Sequence, residues 1–337
     1  MSKIKQYAAL AIAALAVSIM TACDDGILDP AEAGNLVPKT VMEDPALPAI
    51  EMNGSRFHLQ TFGDAANPVL IVLHGGPGSD YRGLLRLLDR YDGYSLTDSF
   101  YVVMWDQRGA GLSQRHDKDA LTLDNYREDI RLLAERFSPD RPVYLLGHSW
   151  GGMYAALMIN SFPQRVAGAI LFEPGPLNGD YYEEVKDDII DLDFFSEWLN
   201  DWAWSQQFFT PDEHARMDFE RTLGYRNAQP HFHQRMENDP MPYWRQGAAV
   251  STYLVEDGIE DGKAVYDFTS NLSAFNTRVQ FVAGSLTEVI GKEFQQRQMQ
   301  EFPASDLKII DGFGHDMVWH AAAQSVALTR EYFESLR

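Results

Sequence analysis

The chain carries six short, continuously apolar runs, most of them separated by stretches with helical periodicity. The runs are residues 69–73, 101–105, 143–146, 166–172, 279–283 and 307–310. Strands that are apolar on both faces are typical of a parallel sheet covered by helices on both sides. The alternation of such runs with helical patterns predicts a doubly wound, mostly parallel α/β sheet. Phe57 and Leu59 alternate with polar neighbours and predict one additional edge strand.

One connection in this pattern is much longer than the others. Roughly 100 residues separate the runs 166–172 and 279–283, which is too long for one crossover helix. The connection is also rich in tryptophan, tyrosine and phenylalanine, which argues against a disordered loop. We therefore predict a mostly helical cap at residues 177–276, inserted into a core formed by residues 51–176 and 277–337.

The N-terminus has the pattern of an export signal. Lys3 and Lys5 precede an apolar stretch at residues 7–20, shorter than the roughly 20 residues that span a bilayer. Cys23, the only cysteine, follows small residues and resembles the acylated cysteine of the bacterial lipoprotein box. That resemblance implies a signal peptide at residues 1–22 and a lipid on Cys23. In a Gram-negative source, Asp24 resembles the signal that retains a lipoprotein at the periplasmic face of the inner membrane. An ordinary cleaved signal peptide is the alternative.

Composition indicates the nature of the segment after the signal peptide and limits the possible binding partners. Residues 23–50 contain four prolines and little apolar periodicity, so we predict that they form a tether. The chain has 49 acidic against 28 basic residues, a formal net charge of −21. This balance argues against nucleic-acid binding and against membrane binding through a basic surface. The lipid is the membrane attachment that we predict, and the oligomeric state stays open.

A candidate nucleophile lies directly after the apolar run 143–146. Residues 147–151 read G-H-S-W-G and precede an apolar helical stretch. A G-x-S-x-G sequence between a strand and a helix is the setting of a nucleophile elbow, in which a sharp turn exposes the serine hydroxyl. The helix would also direct its positive end toward the site. Ser149 is therefore the predicted nucleophile.

A second glycine-rich block lies after the run 69–73. Residues 74–78 read H-G-G-P-G. Acyl transfer requires preorganised N–H donors that stabilise the tetrahedral oxyanion, and glycines let a backbone approach the substrate closely. We predict that the backbone N–H groups of Gly76 and Trp150 form the oxyanion hole.

The serine needs a base that follows it in the chain and an acid that orients the base. His315 lies on a glycine-rich turn just past the last apolar run, whereas His320 falls in a helical pattern and is predicted to be structural. Glu288 is the only acid on the turn after the run 279–283, and it is our preferred third member. Glu173, at the end of the run 166–172, is the rival.

These blocks together resemble the proline iminopeptidase branch of the α/β-hydrolases. The match covers residues 74–78, residues 106–111, which read D-Q-R-G-A-G, and residues 147–152. The resemblance implies the α/β-hydrolase fold, with Ser149 as nucleophile and His315 as general base and then acid. The family usually has an aspartate where this chain has Thr287. The sequence therefore differs from the family pattern at the acid of the catalytic triad. The family's peptidases bind the substrate's amino group with carboxylates near the cap, a role for which Glu173 is also a candidate.

We therefore predict a serine hydrolase that cleaves a small peptide or ester. An N-terminal aminopeptidase is the preferred interpretation, and a carboxylesterase or lactonase is the second. A catalytically silent protein that uses the capped pocket to bind a ligand is the alternative from another class. The sequence has no G-x-G-x-x-G after a strand, no P-loop and no H-E-x-x-H, so no cofactor and no metal are predicted.

Overall fold

The computed structural model describes residues 37–189, 213–226 and 241–336. The predicted signal peptide, Cys23 and the first part of the predicted tether lie outside these residues. The strands are β1 (Ala49–Met52), β2 (Ser55–Phe62), β3 (Val69–Leu73), β4 (Tyr101–Trp105), β5 (Val143–His148), β6 (Val166–Phe172), β7 (Ile259–Glu260), β8 (Lys263–Ala264), β9 (Val279–Gly284) and β10 (Ser305–Ile310). The helices are α1 (Leu123–Phe137), α2 (Trp150–Ser161), α3 (Gly179–Ile189), α4 (Glu213–Arg226), α5 (Ala248–Asp257), α6 (Lys292–Gln298), α7 (Met317–His320) and α8 (Ala322–Ser335).

The main sheet confirms the predicted α/β architecture. Its strand order is β1-β2-β4-β3-β5-β6-β9-β10. Strand β2 is antiparallel to both of its neighbours, and the other pairs in the sheet are parallel. Each of the six predicted apolar runs falls within one of the parallel strands. The carboxyl ends of these strands therefore meet along one edge, where open α/β sheets bind their ligands.

The strand around Phe57 is not at the edge of the sheet. Strand β1 pairs with β2 through a hairpin whose two turn residues are Asn53 and Gly54, both with positive φ. An Asn-Gly pair is the preferred sequence for such a two-residue turn. Because β1 covers its outer side, β2 is interior to the sheet, and Phe57 is fully buried.

The sheet separates two apolar layers. Val69, Ile71 and Leu73 of β3 belong to the layer that contains α1 and α2. The alternate residues of the same strand, Leu70 and Val72, belong to the layer that contains α8. Strand β3 is thus buried on both faces, as its unbroken apolar sequence predicts.

The last part of the predicted tether packs against the core. Val41 is fully buried, and its N–H donates to the carbonyl of Leu112 over 2.8 Å. Val37 is buried as well, so the described part of the predicted tether lies against the core. Among the described residues, no helix is both long and apolar enough to cross a membrane.

Part of the predicted cap interval is also described. Helices α3, α4 and α5 and the hairpin of β7 with β8 fall within residues 177–276. The tryptophans at positions 198, 202 and 204 lie outside the described residues. The boundaries of the cap stay a prediction.

Candidate active site

Ser149 occupies the turn between β5 and α2. Its backbone has φ 56° and ψ −122°, a conformation that non-glycine residues adopt at a cost. The flanking glycines make the turn possible, because a side chain on Gly147 would overlap the backbone of Gly151. A side chain on Gly151 would likewise overlap the carbonyl group of Leu73. The turn leaves Ser149 half-buried at the carboxyl edge of the sheet.

His315 is paired with Glu173. The Nδ1 atom of His315 lies 2.7 Å from Oε2 of Glu173, and both side chains are almost completely buried. Glu173 directly follows β6, the strand beside β5, and has φ 41°. Its N–H donates to the carbonyl of Val282 on the other neighbouring strand, β9. The ends of adjacent strands thus bring this carboxylate to the histidine.

Two further donors hold the Glu173 carboxylate. The N–H of Gly284 donates to Oε1 over 2.8 Å, and the hydroxyl of Thr287 donates to Oε2 over 3.0 Å. Burial raises the pKa of Glu173 to about 8, while these two hydrogen bonds act to lower that pKa. Each oxygen of the carboxylate is therefore satisfied, and one is directed at His315.

The structure corrects the expectation that Glu288 is the partner of His315. On the turn after β9, Thr287 is buried against Glu173, whereas the next side chain, Glu288, is exposed to solvent. The rival assignment, Glu173, is the one that contacts the histidine. This contact also occupies Glu173, which we had considered for binding a substrate amine.

His148 supports His315 from the other side. Its Nε2 atom lies 2.8 Å from the carbonyl oxygen of His315, so Nε2 carries the proton and donates it. The two rings lie with their centroids 4.7 Å apart. Burial, with the nearby His315, lowers the pKa of His148 to about 3, so this ring is neutral. His148 therefore holds the main chain of His315 through a local hydrogen bond.

The H-G-G-P-G block, hereafter the oxyanion loop (residues 74–78), runs beside Ser149, the predicted nucleophile. A Cβ on Gly75 would lie 3.1 Å from the Cβ of Ser149. Gly76 has φ 118°, and a Cβ there would lie 2.6 Å from the N atom of Gly78. Trp150 is the first residue of α2, a position whose N–H has no acceptor within its own helix. The loop and the elbow that carry the two predicted oxyanion donors are thus adjacent.

Gln107 connects these two elements. Its Nε2 donates to the carbonyl of His74 over 2.9 Å, and its Oε1 accepts from Nε1 of Trp150 over 2.8 Å. Its own N–H donates to Nε2 of His74 over 3.0 Å. Gln107 is fully buried, so the second residue of the D-Q-R-G-A-G block braces the first residue of the oxyanion loop against the elbow.

The comparison with known families decides the classification. Residues 68–322 match the family described as alpha/beta hydrolase fold. The chain belongs to this family.

Within residues 37–189, 213–226 and 241–336, no group of three or more His, Cys, Asp or Glu side chains is arranged to hold a metal ion.

Several proline iminopeptidases are among the relatives of this α/β-hydrolase. The chain is 23% identical over 292 residues to the proline iminopeptidase of Lactobacillus helveticus (strain DPC 4571), covering 79% of this chain and 90% of that protein. It is 37% identical over 106 residues to a Bacillus subtilis (strain 168) protein named "Probable aminopeptidase YbaC". This second match spans 30% of the present chain and 32% of the Bacillus protein.

A solved structure shows the same fold. The proline iminopeptidase of Mycobacterium smegmatis superposes with a TM-score of 0.59 at 14% identity, covering 86% of this chain and 98% of that chain. The resemblance to the proline iminopeptidase branch is confirmed by these comparisons.

The contacts of three residues at or beside the site are not predicted from the sequence. Gln107 lies within the D-Q-R-G-A-G block, but the sequence of that block does not predict its contacts with His74 and Trp150. Thr287 stands where the family has an acid, and this replacement was itself the available signal that the acid lies elsewhere. Ser251, whose contact with the oxyanion loop is described below, lies in an interval without any recognised motif.

Proposed function

We propose that this chain is a serine hydrolase that cleaves an amide or ester through an acyl-enzyme on Ser149. The observation that carries the proposal is the buried contact between His315 and Glu173, beside a strained serine at the strand-to-helix turn. A carboxylate on Nδ1 fixes the tautomer in which Nε2 is free to accept a proton. Ser149 is the nucleophile that this histidine would activate.

The proposed reaction uses each of these groups in turn. Nε2 of His315 takes the hydroxyl proton of Ser149 while Oγ forms a bond to the substrate's carbonyl carbon. The displaced electron pair moves to the carbonyl oxygen, which the N–H groups of Gly76 and Trp150 would stabilise. When the carbonyl re-forms, the leaving amine or alcohol departs with the proton from His315. Water, activated by the same histidine, then releases the acyl group.

Glu173 weakens the case for a silent ligand-binding protein. That alternative rested on the missing acid at position 287. The carboxylate is instead supplied by Glu173 and held by two further donors. A carboxylate so placed stabilises the imidazolium that forms during the reaction, which a receptor does not require.

For the substrate, we propose an N-terminal aminopeptidase of the proline iminopeptidase type. The named relatives support this choice, since two of them are proline iminopeptidases. One specific observation favours the ester or lactone alternative. Glu173, a candidate ligand for the substrate's amino group, is occupied by His315. In a peptidase, carboxylates other than Glu173 must therefore bind the amino group.

The first experiment is labelling with a fluorophosphonate, which reacts with activated serines. We expect the wild type to be labelled and Ser149→Ala to be unlabelled. An unlabelled but folded wild type would remove the serine-hydrolase proposal and restore the silent receptor.

The second experiment compares a prolyl arylamide, its N-acetyl form and a simple acyl ester. A charge-assisted pair contributes on the order of 1.5–3 kcal/mol, or roughly ten- to a hundredfold in kcat/KM. A peptidase should therefore lose at least this much on N-acetylation. Equal rates for the two arylamides, with fast cleavage of the ester, would favour the esterase.

We also propose that the protein is a lipoprotein attached to the bacterial cell envelope through Cys23. The charged start, the short apolar stretch and the single cysteine support this proposal. In a Gram-negative host, Cys23→Ser should leave the protein unprocessed or release it from the membrane fraction. A variant that matured normally and stayed in the membrane fraction would contradict the lipid anchor.

A further inference from the structure

Residues 77–82, which comprise the end of the oxyanion loop and the four residues after it, are hydrogen-bonded along their length to a segment within the predicted cap interval. We call this segment, residues 243–251, the return segment. Nη1 of Arg82 donates to the carbonyl oxygen of Tyr243 over 3.0 Å. Oδ2 of Asp80 accepts from the N–H groups of Trp244 and Arg245 over 2.6 and 3.0 Å, and Oγ of Ser79 accepts from Nε2 of Gln246 over 3.4 Å. The carbonyl oxygens of Gly78 and Pro77 accept from the N–H of Gly247 over 2.6 Å and from the hydroxyl of Ser251 over 2.7 Å. The return segment thus follows residues 77–82 in the opposite direction.

Ser251 makes the contact nearest to the proposed oxyanion hole. It lies in the first turn of α5, and its hydroxyl is 2.7 Å from the carbonyl of Pro77 and 3.2 Å from the carbonyl of Gly247. The shorter contact shows that the hydroxyl proton is directed mainly at Pro77. Pro77 directly follows Gly76, one of the two proposed oxyanion donors.

Space at this contact is restricted. A Cβ on Gly78 would lie 2.7 Å from the hydroxyl oxygen of Ser251 and 2.5 Å from the carbonyl oxygen of Gly247. The loop backbone therefore lies directly against α5, with no side chain between them. A change in the position of α5 would move the loop.

The oxyanion loop is held by hydrogen bonds at both ends. Gln107 holds its first residue, His74, from the core side. Ser251 and Gly247 hold its last two residues, Pro77 and Gly78, from the return segment. Oxyanion donors are effective when they are fixed before the reaction begins. Two fixed ends are what such preorganisation requires.

The return segment is itself anchored by a buried ion network. Asp218 of α4 accepts from the N–H of Ala248 over 2.9 Å and from Nε of Arg245 over 2.6 Å. The same carboxylate accepts from Nε of Arg115 over 2.8 Å. The side chains of Asp218 and Arg245 are fully buried, and the bonds to the start of α5 fix its position relative to the core.

We propose that Ser251 is a positioning residue for the oxyanion hole. Its hydroxyl holds the carbonyl of Pro77, and this contact keeps the N–H of Gly76 aligned with the carbonyl oxygen of the substrate. The inference rests on the proposed function. It adds a residue of the predicted cap interval to the machinery of the core, and it makes the geometry of the hole depend on the seating of α5.

The test is Ser251→Ala, with Thr252→Ala as the matched control. Thr252 is the next residue of α5, is exposed, and bonds within its own helix to Ala248. We expect Ser251→Ala to lower kcat roughly ten- to a hundredfold, since small misplacements of reacting groups have effects of that order. KM should stay within about twofold, because the substrate's ground state does not use the oxyanion hole fully. The affinity for a boronic acid, which forms a tetrahedral adduct, should fall by the same factor as kcat.

A second pair of variants separates the hydroxyl from the shape of the side chain. Thr and Val have the same shape at this position, but only Thr keeps the hydroxyl. We expect Ser251→Thr to retain most of kcat and Ser251→Val to lose as much as Ser251→Ala. This pair also decides the matter if Ser251→Ala does not fold.

The outcomes distinguish this inference from the proposed function. A wild type that is not labelled by a fluorophosphonate removes the proposed function. If the wild type is labelled and turns over substrate, equal kcat for Ser251→Ala and Thr252→Ala overturns the role of Ser251. Equal kcat for the Thr and Val variants overturns it as well.

Discussion

The two sides of Ser149 are built in different ways. On the oxyanion side, a glycine-rich backbone passes Ser149 and is held through the main-chain carbonyls of His74 and Pro77. On the acid side, the side chains of three segments far apart in sequence meet: Glu173, Thr287 and His315. The first side depends on local backbone shape, and the second on which strands are neighbours in the sheet.

Backbone strain marks the point where the two sides meet. Of the non-glycine residues with positive φ in the described ranges, three are Asn or Asp, which adopt this region readily. The other two are Ser149 and Glu173. They follow adjacent strands, β5 and β6, and the N–H of Ser149 donates to the carbonyl of Phe172. Strain of this kind persists only where the surroundings hold it, and it is concentrated at functional sites.

The largest effect on kcat should come from substitution of Ser149, which lies between the oxyanion side and the acid side. Ser149→Ala removes the nucleophile but little buried volume. We expect kcat to fall about 10⁴- to 10⁶-fold, as for other serine hydrolases. Steady-state kinetics and thermal unfolding together measure this. Turnover within tenfold of the wild type would contradict the role of Ser149.

The pH profile distinguishes the two sides. An isolated histidine loses its proton near pH 6.5 or so, but burial raises the pKa of the contacting Glu173 to about 8. The Glu173–His315 pair therefore holds its dissociable proton up to a higher pH than an isolated histidine does. While that proton is bound, Nε2 of His315 cannot accept the hydroxyl proton of Ser149. We expect kcat/KM to rise with pH through an apparent pKa between about 6.5 and 8. Below that value it should fall roughly tenfold per pH unit.

The same profile measured in Ser251→Ala should keep the apparent pKa of the wild type while its amplitude falls. Ser251 contacts the oxyanion loop and not the titrating pair. A shifted apparent pKa in this variant would show that the two sides are not independent.

The smallest effect should come from Thr287→Val. This change removes the hydroxyl bond to Glu173, which is worth about 1–2 kcal/mol, so kcat/KM should fall roughly five- to thirtyfold. The apparent pKa should rise, because the lost bond favours the ionised carboxylate. Glu288→Gln is the control, since Glu288 is an exposed residue on the same turn. Identical kinetics for both variants would contradict the role of Thr287.

The oxyanion side could be predicted from the sequence, because its determinants are local. Glycines at 147 and 151 permit the elbow, and the adjacent apolar runs place it between a strand and a helix. The same reasoning predicts the parallel sheet and the position of His315. These features depend on short stretches whose shape is fixed by the residues they contain.

The acid side could not be predicted in the same way. Glu173 and Glu288 are both acids at the ends of parallel strands, and the sequence alone does not tell which side chain points inward. The answer depends on the turn after β9, which buries Thr287 and exposes Glu288. The proposed role of Ser251 depends on the path of the chain through the predicted cap interval, in which we recognise no sequence motif.

We propose that Glu173 is the acid that orients His315. The most direct test is the second-order rate constant for fluorophosphonate labelling of Ser149 in Glu173→Gln and Glu288→Gln, a measurement that needs no knowledge of the natural substrate. Glu173→Gln should label far more slowly than the wild type, by up to about 10⁴-fold, because an amide can hold the wrong tautomer of the imidazole. Glu288→Gln, which changes an exposed side chain, should label at the wild-type rate. A slow Glu288→Gln beside a fast Glu173→Gln would contradict the claim.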